Sequence, residues 1–167
     1  MIESERLILR SATLNDAAFV LDLLNSPSWL EYIGDRNVRT IQEAEDYLST
    51  RMADNYAVSG CGLFTIWLKE QEMPIGVSTL SKRDYLEEVD LGYALLPEYE
   101  GFGYAYEASK AILDYALMAL KFKNIAAITL KNHTKSIHLL EKLGFRFKRN
   151  FRESGDEMIE MEFKSIE

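Results

Sequence analysis

The order of apolar and polar positions divides the chain into short strands and amphipathic helices. RLILR, within residues 5–10, alternates and predicts a strand. Thr13 and Asp16 stand three apart ahead of AAFVLDLL, the spacing of a capping box, so a helix is expected to begin there. Thr40 and Glu43 repeat that spacing before AEDYLSTRM and predict a second helix. Between the two, residues 27–39 carry Pro27, Trp29, Tyr32 and Gly34 without a clear period and read as an irregular loop. LFTIWL (63–68) and IGVSTL (75–80) flank KEQEMP and predict a hairpin, and VDLGYALL (89–96) is a third strand ended by Pro97.

From Gly103 the period lengthens. Ala108, Ala111, Ile112, Tyr115, Ala119 and Phe122 fall on one helical face. NIAAITLK (124–131) is apolar without alternation, as expected of a strand covered on both faces. TKSIHLLEKL predicts a short helix closed by Gly144, with Phe145 packing behind it. FRFKRNF and MIEMEF pair around ESGD as a final hairpin. No repeat, low-complexity tract or linker interrupts this pattern. One α+β domain spanning residues 1–167 is expected.

Composition narrows the function classes. No apolar run approaches the roughly 20 residues of a membrane span. MIESERLILR lacks the apolar stretch of a secretory signal. Cys61 is the only cysteine, so no internal disulfide forms, and a cytoplasmic location is expected. The net charge of −8 disfavours general nucleic-acid binding. It suits a cationic partner, or solubility alone.

The stretch LGYALLPEYEGFGYAYE (91–107) carries the chemistry. A strand runs into a glycine loop (Gly101, Gly103) and then into a helix, which presents unpaired N–H groups at a positive helix end. Such a site holds phosphate. A nucleotide-binding Walker loop needs Gly-Lys-Ser/Thr, which is absent. A dinucleotide fold needs a third glycine where Tyr106 stands and an acidic residue where the next strand ends in Lys131-Asn132.

A third kind of phosphate loop fits. ESERLILRSATLNDA, VDLGYALLPEYEGFGYAYEA and NHTKSIHLLEKLGF, in this order and spacing, resemble the GNAT N-acetyltransferases, and most closely the RimJ/RimL branch of ribosomal-protein N-terminal acetyltransferases. The resemblance implies a central mixed, mostly antiparallel sheet of 6–7 strands with about four flanking helices and two strands splayed at the cofactor site. It also implies transfer of an acetyl group from acetyl-CoA to a primary amine, a peptide N-terminus or a small amine, by direct attack in a ternary complex. No metal, nucleic acid or membrane is implied, and relatives of the branch occur as monomers and homodimers. The alternative is a CoA-binding module of the same fold with little or no catalysis. Glu100 departs from the family's loop, standing where Gln or Arg is usual, so its carboxylate is expected to point to solvent.

Carried over residue by residue, the resemblance places the cofactor against Tyr93, Leu95 and Leu96 of the strand, Gly101, Phe102, Gly103, Tyr104, Ala105 and Tyr106 of the loop and helix start, and Asn132, Lys135 and Ser136 of the later block. Asp90 takes the position of a catalytic base, its pKa raised by Glu88 on the same strand face; alternatively, Glu87, Glu88 and Asp90 form a solvated strand edge. Leu140 occupies the position of the usual acidic tyrosine, which leaves Ser136 as general acid or as an ordinary helix hydroxyl. Asn132 is a pantetheine contact, a helix N-cap, or both. Trp29, Glu31, Tyr32 and Asp35 are expected around the acceptor, with core plugging as the alternative for the aromatics. Neither His133 nor His138 is read as catalytic, and His138, in an amphipathic helix, is read as a surface residue.

Overall fold

The computed structural model describes residues 1–55 and 58–166. Its strands are β1 (Ile2–Glu3), β2 (Leu7–Ser11), β3 (Gly62–Leu68), β4 (Met73–Lys82), β5 (Val89–Leu95), β6 (Asn124–Leu130), β7 (Arg146–Glu153) and β8 (Asp156–Lys164). Its helices are α1 (Ala17–Leu24), α2 (Pro27–Tyr32), α3 (Ile41–Asn55), α4 (Tyr104–Met118) and α5 (Thr134–Leu143). The strands form one sheet in the order β1-β2-β3-β4-β5-β6-β8-β7. Every neighbouring pair is antiparallel except β5 and β6. This is the mixed sheet the resemblance implies, with eight strands rather than six or seven and five helices rather than about four among the described residues.

Both capping boxes form. The Asp16 carboxylate accepts from the Thr13 N–H at 2.8 Å, and Thr40 and Glu43 exchange side-chain to backbone bonds at 3.1 and 3.2 Å. The extra helix is α2, in the segment expected to be irregular. Pro27 at its first turn has the φ a helix needs and no N–H to lose, and Trp29 buries itself in the core. Six residues are too few to show a period. At the other extreme the α4 stripe stops early: Met118 ends the helix, Ala119 is exposed, and the chain turns away through Lys121 at φ 61°. α5 closes as expected, with Gly144 at φ 99° and Phe145 N–H bonding Leu140 O at 3.0 Å.

Helices cover both faces of the sheet. Ala108 and Ile112 of α4 and Leu140 of α5 pack on Leu91, Leu95, Ile125, Ala127 and Met161. Val20, Leu23, Leu24, Trp29, Ala44 and Leu48 pack on Leu63 and Val77. In β6 Ala126 is buried as well as Ile125 and Ala127, in keeping with the non-alternating run.

Candidate active site

The site begins where β5 and β6 part. Parallel neighbours normally share an extended ladder, but these two register at the single pair Asp90–Ala126. Beyond that vertex β5 remains fastened to β4 through Tyr93–Ser78 and Leu95–Gly76, while its other edge is left without a strand partner. An extended ligand with amide groups can add to such an edge as a further strand would. Tyr93, Leu95 and Leu96 lie along it.

The strand leads into the glycine loop. Gly101 and Gly103 sit at φ 85° and 83°, and Gly103 is the N-cap of α4. The first bond of the helix runs from Glu107 N–H to Gly103 O at 3.0 Å. Among the described residues no protein group accepts from the N–H groups of residues 101–106. Six amides at the positive end of a 15-residue helix are thus left free for an anion, and a Cβ built on Gly101 meets nothing within 4 Å. The donor set therefore fits the pyrophosphate of a coenzyme A.

Two contacts hold this loop from outside. Arg6 of the chain ahead of β2 donates from Nη1 to Phe102 O at 3.0 Å, lies 4.5 Å from the Tyr104 ring centre, and pairs with Glu107 at 2.7 Å. Burial raises the Glu107 pKa, yet the bonds from Ser4 and Arg6 outweigh it and the net shift is downward. Glu100, the departure from the family loop, is exposed and accepts from Ser28 Oγ of α2 at 2.7 Å. Its carboxylate is thus engaged by α2. Phe102 is exposed, and Tyr106 lies under Lys142 Nζ at 4.3 Å.

Asp90 sits at the vertex and is only 2 % exposed, so it is no part of a solvated edge. Arg83, in the turn ahead of β5, packs against it. Arg83 Nε donates to Oδ2 at 2.8 Å, whereas Oδ1 has no partner. Burial pushes the Asp90 carboxyl above its usual range, against the charge and hydrogen bond of Arg83. The expected cause, Glu88, is not the operative one; a small like-charge contribution comes from Glu153 instead. Tyr85 donates to Glu153 at 2.7 Å, and burial lifts its phenol to about 12. A cavity of about 240 Å³ opens there between Tyr85, Arg149, Phe151, Arg152 and Glu153. The larger cavity, about 390 Å³ near Cys61 and Tyr115, includes none of the expected site residues.

On the opposite face, α5 presents Ser136 in its first turn, buried at 7 % exposure. Leu140 is locked into the core, so nothing acidic replaces the family tyrosine at that place. Asn132 is exposed; the helix N-cap is His133, whose side chain makes no cap bond, so the capping reading of Asn132 does not hold. Lys135 is exposed at the same helix end. His138 is exposed beside Glu141 at 3.3 Å, the surface role expected of it.

The acceptor-side residues divide. Trp29 is a core residue, and Asp35 is paired with Arg39 at 2.5 Å, which with the Asn37 N–H lowers its pKa. Tyr32 stacks on His133 with ring centres 3.7 Å apart and planes 8° apart. Burial lowers the His133 pKa, against Glu100 and Glu31, so the imidazole is neutral at pH 7. α2 therefore touches both lips of the splay: Glu100 after β5 through Ser28, and His133 after β6 through Tyr32. Sequence reasoning missed Ser28, Arg6 and Arg83. A serine and two arginines carry no local pattern that points to these partners.

The fold and the amide cradle define an acyl-CoA-binding transferase, and comparison identifies which. Residues 6–146 match the family model described as "Acetyltransferase (GNAT) domain". The chain belongs to the GNAT acetyltransferases and is an acetyl-CoA-dependent N-acetyltransferase. It is similar to the uncharacterized N-acetyltransferase YoaA of Bacillus subtilis (strain 168), 28% identical over 148 residues that cover 87% of this chain and 82% of that protein. Among solved structures it superposes on the Vibrio cholerae spermidine N-acetyltransferase in complex with CoA and spermine with a TM-score of 0.79 at 20% identity, covering 96% of both chains. RimL, the ribosomal L7/L12 alpha-N-protein acetyltransferase in complex with coenzyme A, superposes with a TM-score of 0.83 at 14% identity, covering 97% and 96%. Among the described residues no group of three His, Cys, Asp or Glu side chains is placed to hold a metal ion. No described helix is long and apolar enough to cross a membrane.

Proposed function

We propose that the chain acetylates a primary amine, a peptide N-terminus or a small amine, in a ternary complex of the RimJ/RimL kind. The observation that carries this reading is the open edge of β5, which runs from the vertex at Asp90 to the free amides of the glycine loop. The diphosphate rests on the N–H groups of residues 101–106, and the pantetheine amides pair with the β5 edge at Tyr93 and Leu95. Asn132 and Lys135 border the same end. The thioester then lies near the vertex, where an N–H of β5 faces the carbonyl oxygen and offsets the charge that develops on it.

Asp90 is the base in this scheme. An α-amine has a pKa near ~7.8 and is neutral to roughly a tenth at pH 7; a lysine amine near ~10.4 is neutral to about one part in two thousand. The difference is about 3.5 kcal/mol. A raised aspartate pKa suits removal of a proton from the more acidic amine. Glu31 and Tyr32 border the acceptor, beside the neutral His133. The spermidine enzymes among the neighbours and the protein N-terminal acetyltransferase RimL mark the two acceptor chemistries to be compared.

The test is release of free CoA thiol over a panel of peptide N-termini, polyamines and aminoglycosides, alongside CoA binding. Turnover of one class supports the reading. CoA binding with no turnover on any acceptor supports the second reading, a CoA-binding module without catalysis. That alternative is favoured by one specific feature, the Arg83 clamp on the base at 2.8 Å.

A further inference from the structure

A carboxylate held by a guanidinium is a poor base, because the positive charge favours its ionised form. Asp90 is in that position, buried and bonded by Arg83 Nε at 2.8 Å. The guanidinium reaches further. Its Nη1 donates to the Tyr85 hydroxyl at 3.4 Å, a long bond, and Tyr85 donates in turn to Glu153 Oε1 at 2.7 Å. Burial, ahead of the Glu153 bond, lifts the Tyr85 phenol to about 12, so it keeps its proton at the pH of the reaction. With that proton on Glu153, an oxygen lone pair is left to face Arg83. The chain from Asp90 through Arg83 and Tyr85 to Glu153 therefore has one direction, with a carboxylate at either end.

We propose that Glu153, acting through Tyr85 and Arg83, is a positioning residue that keeps Asp90 basic enough to deprotonate the acceptor amine. This rests on the acetyltransferase reading above. Tyr85 engages one Nη of the guanidinium, so Arg83 meets Asp90 through a single bond, Nε to Oδ2. The two-bonded fork, which would hold the carboxylate most tightly in its charged form, is not made. The Glu153 charge also offsets part of the Arg83 charge. Asp90 is thereby oriented without being disabled as a base.

The outer end of the chain is firmly placed. Glu153 ends β7 and pairs with Asp156 across a two-residue turn, Ser154 and Gly155, at φ 50° and 87°, a backbone that matches the twist of a hairpin. The Tyr85 ring lies 5.9 Å from that of Phe151 on the same strand. The other charges around the turn and β7 are engaged elsewhere or exposed. Lys82 donates to Leu86 O and Glu87 O, Asp84 is exposed, and Glu87 pairs with Lys148 at 3.3 Å. Glu88 accepts from Asn124 at 3.4 Å, and Arg149 pairs with Glu160 at 2.5 Å. The strand neighbours of Asp90, Ser81 of β4 and Ala126 of β6, are uncharged.

Glu153→Gln, Tyr85→Phe and Arg83→Gln test the linkage. The readouts are the acid limb of kcat/KM against pH and a carbon-13 NMR titration of the Asp90 carboxyl, assigned with Asp90→Asn. Glu153→Gln keeps an acceptor for Tyr85 but removes the charge. It should lower the Asp90 midpoint by on the order of 0.5 on the pH scale and kcat by about 3-fold. Tyr85→Phe keeps the ring beside Phe151 and should move the midpoint the same way. Arg83→Gln should raise it by about 1 or more. In the Arg83→Gln background, Glu153→Gln should shift the midpoint by less than about half its effect in wild type, since the linking guanidinium is gone. The Kd of CoA should stay within about twofold throughout. A midpoint that Glu153→Gln leaves unmoved or raises overturns the proposal and leaves the transferase intact, as does an equal shift in both backgrounds. A protein that binds CoA and acetylates no amine removes the acetyltransferase reading and with it the role of Asp90 as base, while the NMR titration still decides whether Glu153 sets its midpoint.

Discussion

Gly103→Ala isolates the contribution of the cradle. Gly103 lies at φ 83° and caps α4, but a Cβ built on it meets only Arg6 Nη2 at 3.4 Å, an ordinary contact. Steric conflict with the rest of the protein is therefore not the operative cost. Backbone strain is. An L-residue in the left-handed region costs roughly 1–2 kcal/mol. If only the CoA-bound loop must hold that conformation, the cost appears as affinity, about 5- to 30-fold in Kd. If the helix start needs it with or without ligand, the cost appears in the melting temperature and Kd is spared. Isothermal titration with CoA and a thermal melt on the same preparation separate the cases. Gly101→Ala, at φ 85° with nothing within 4 Å, serves as a second probe of strain alone. A Gly103→Ala protein with wild-type Kd and wild-type melting temperature would refute the argument, because the strain would then have no place to be paid.

Other perturbations read other parts of the site. Asp90→Asn should lower turnover by about 100-fold or more through loss of the base, most severely below neutral pH, with CoA affinity unchanged; steady-state rates across pH check this. The same variant reports a stability linkage. Because the folded-state pKa of Asp90 is raised, its contribution is complete below the unfolded value near ~3.9 and is lost as pH rises through the folded value. The melting temperature of wild type minus that of Asp90→Asn should accordingly fall as pH increases; a rise would reverse the sign of the burial effect. Tyr32→Ala removes the stack on His133 and should raise the acceptor KM severalfold while leaving the Kd of CoA alone. An unchanged KM would detach α2 from acceptor binding.

Legibility followed sequence separation. The capping boxes at Thr13 and Thr40, the Gly144 closure and the glycine loop are decided within a few residues, so their residue types betray them. The interior position of β6 was readable because a strand covered on both faces cannot alternate. α2 was not readable: six residues around a proline carry no period, and burial of Trp29 decides the conformation. The site showed the same division. Asp90 and Ser136 were nameable from their places in motifs, but their states were not. Whether Asp90 is solvated or buried depends on how the turn ahead of β5 packs, and that turn leaves Arg83 against it. Ser28–Glu100 and Tyr32–His133 join segments far apart in the chain, and no residue pattern encodes a pairing at that range.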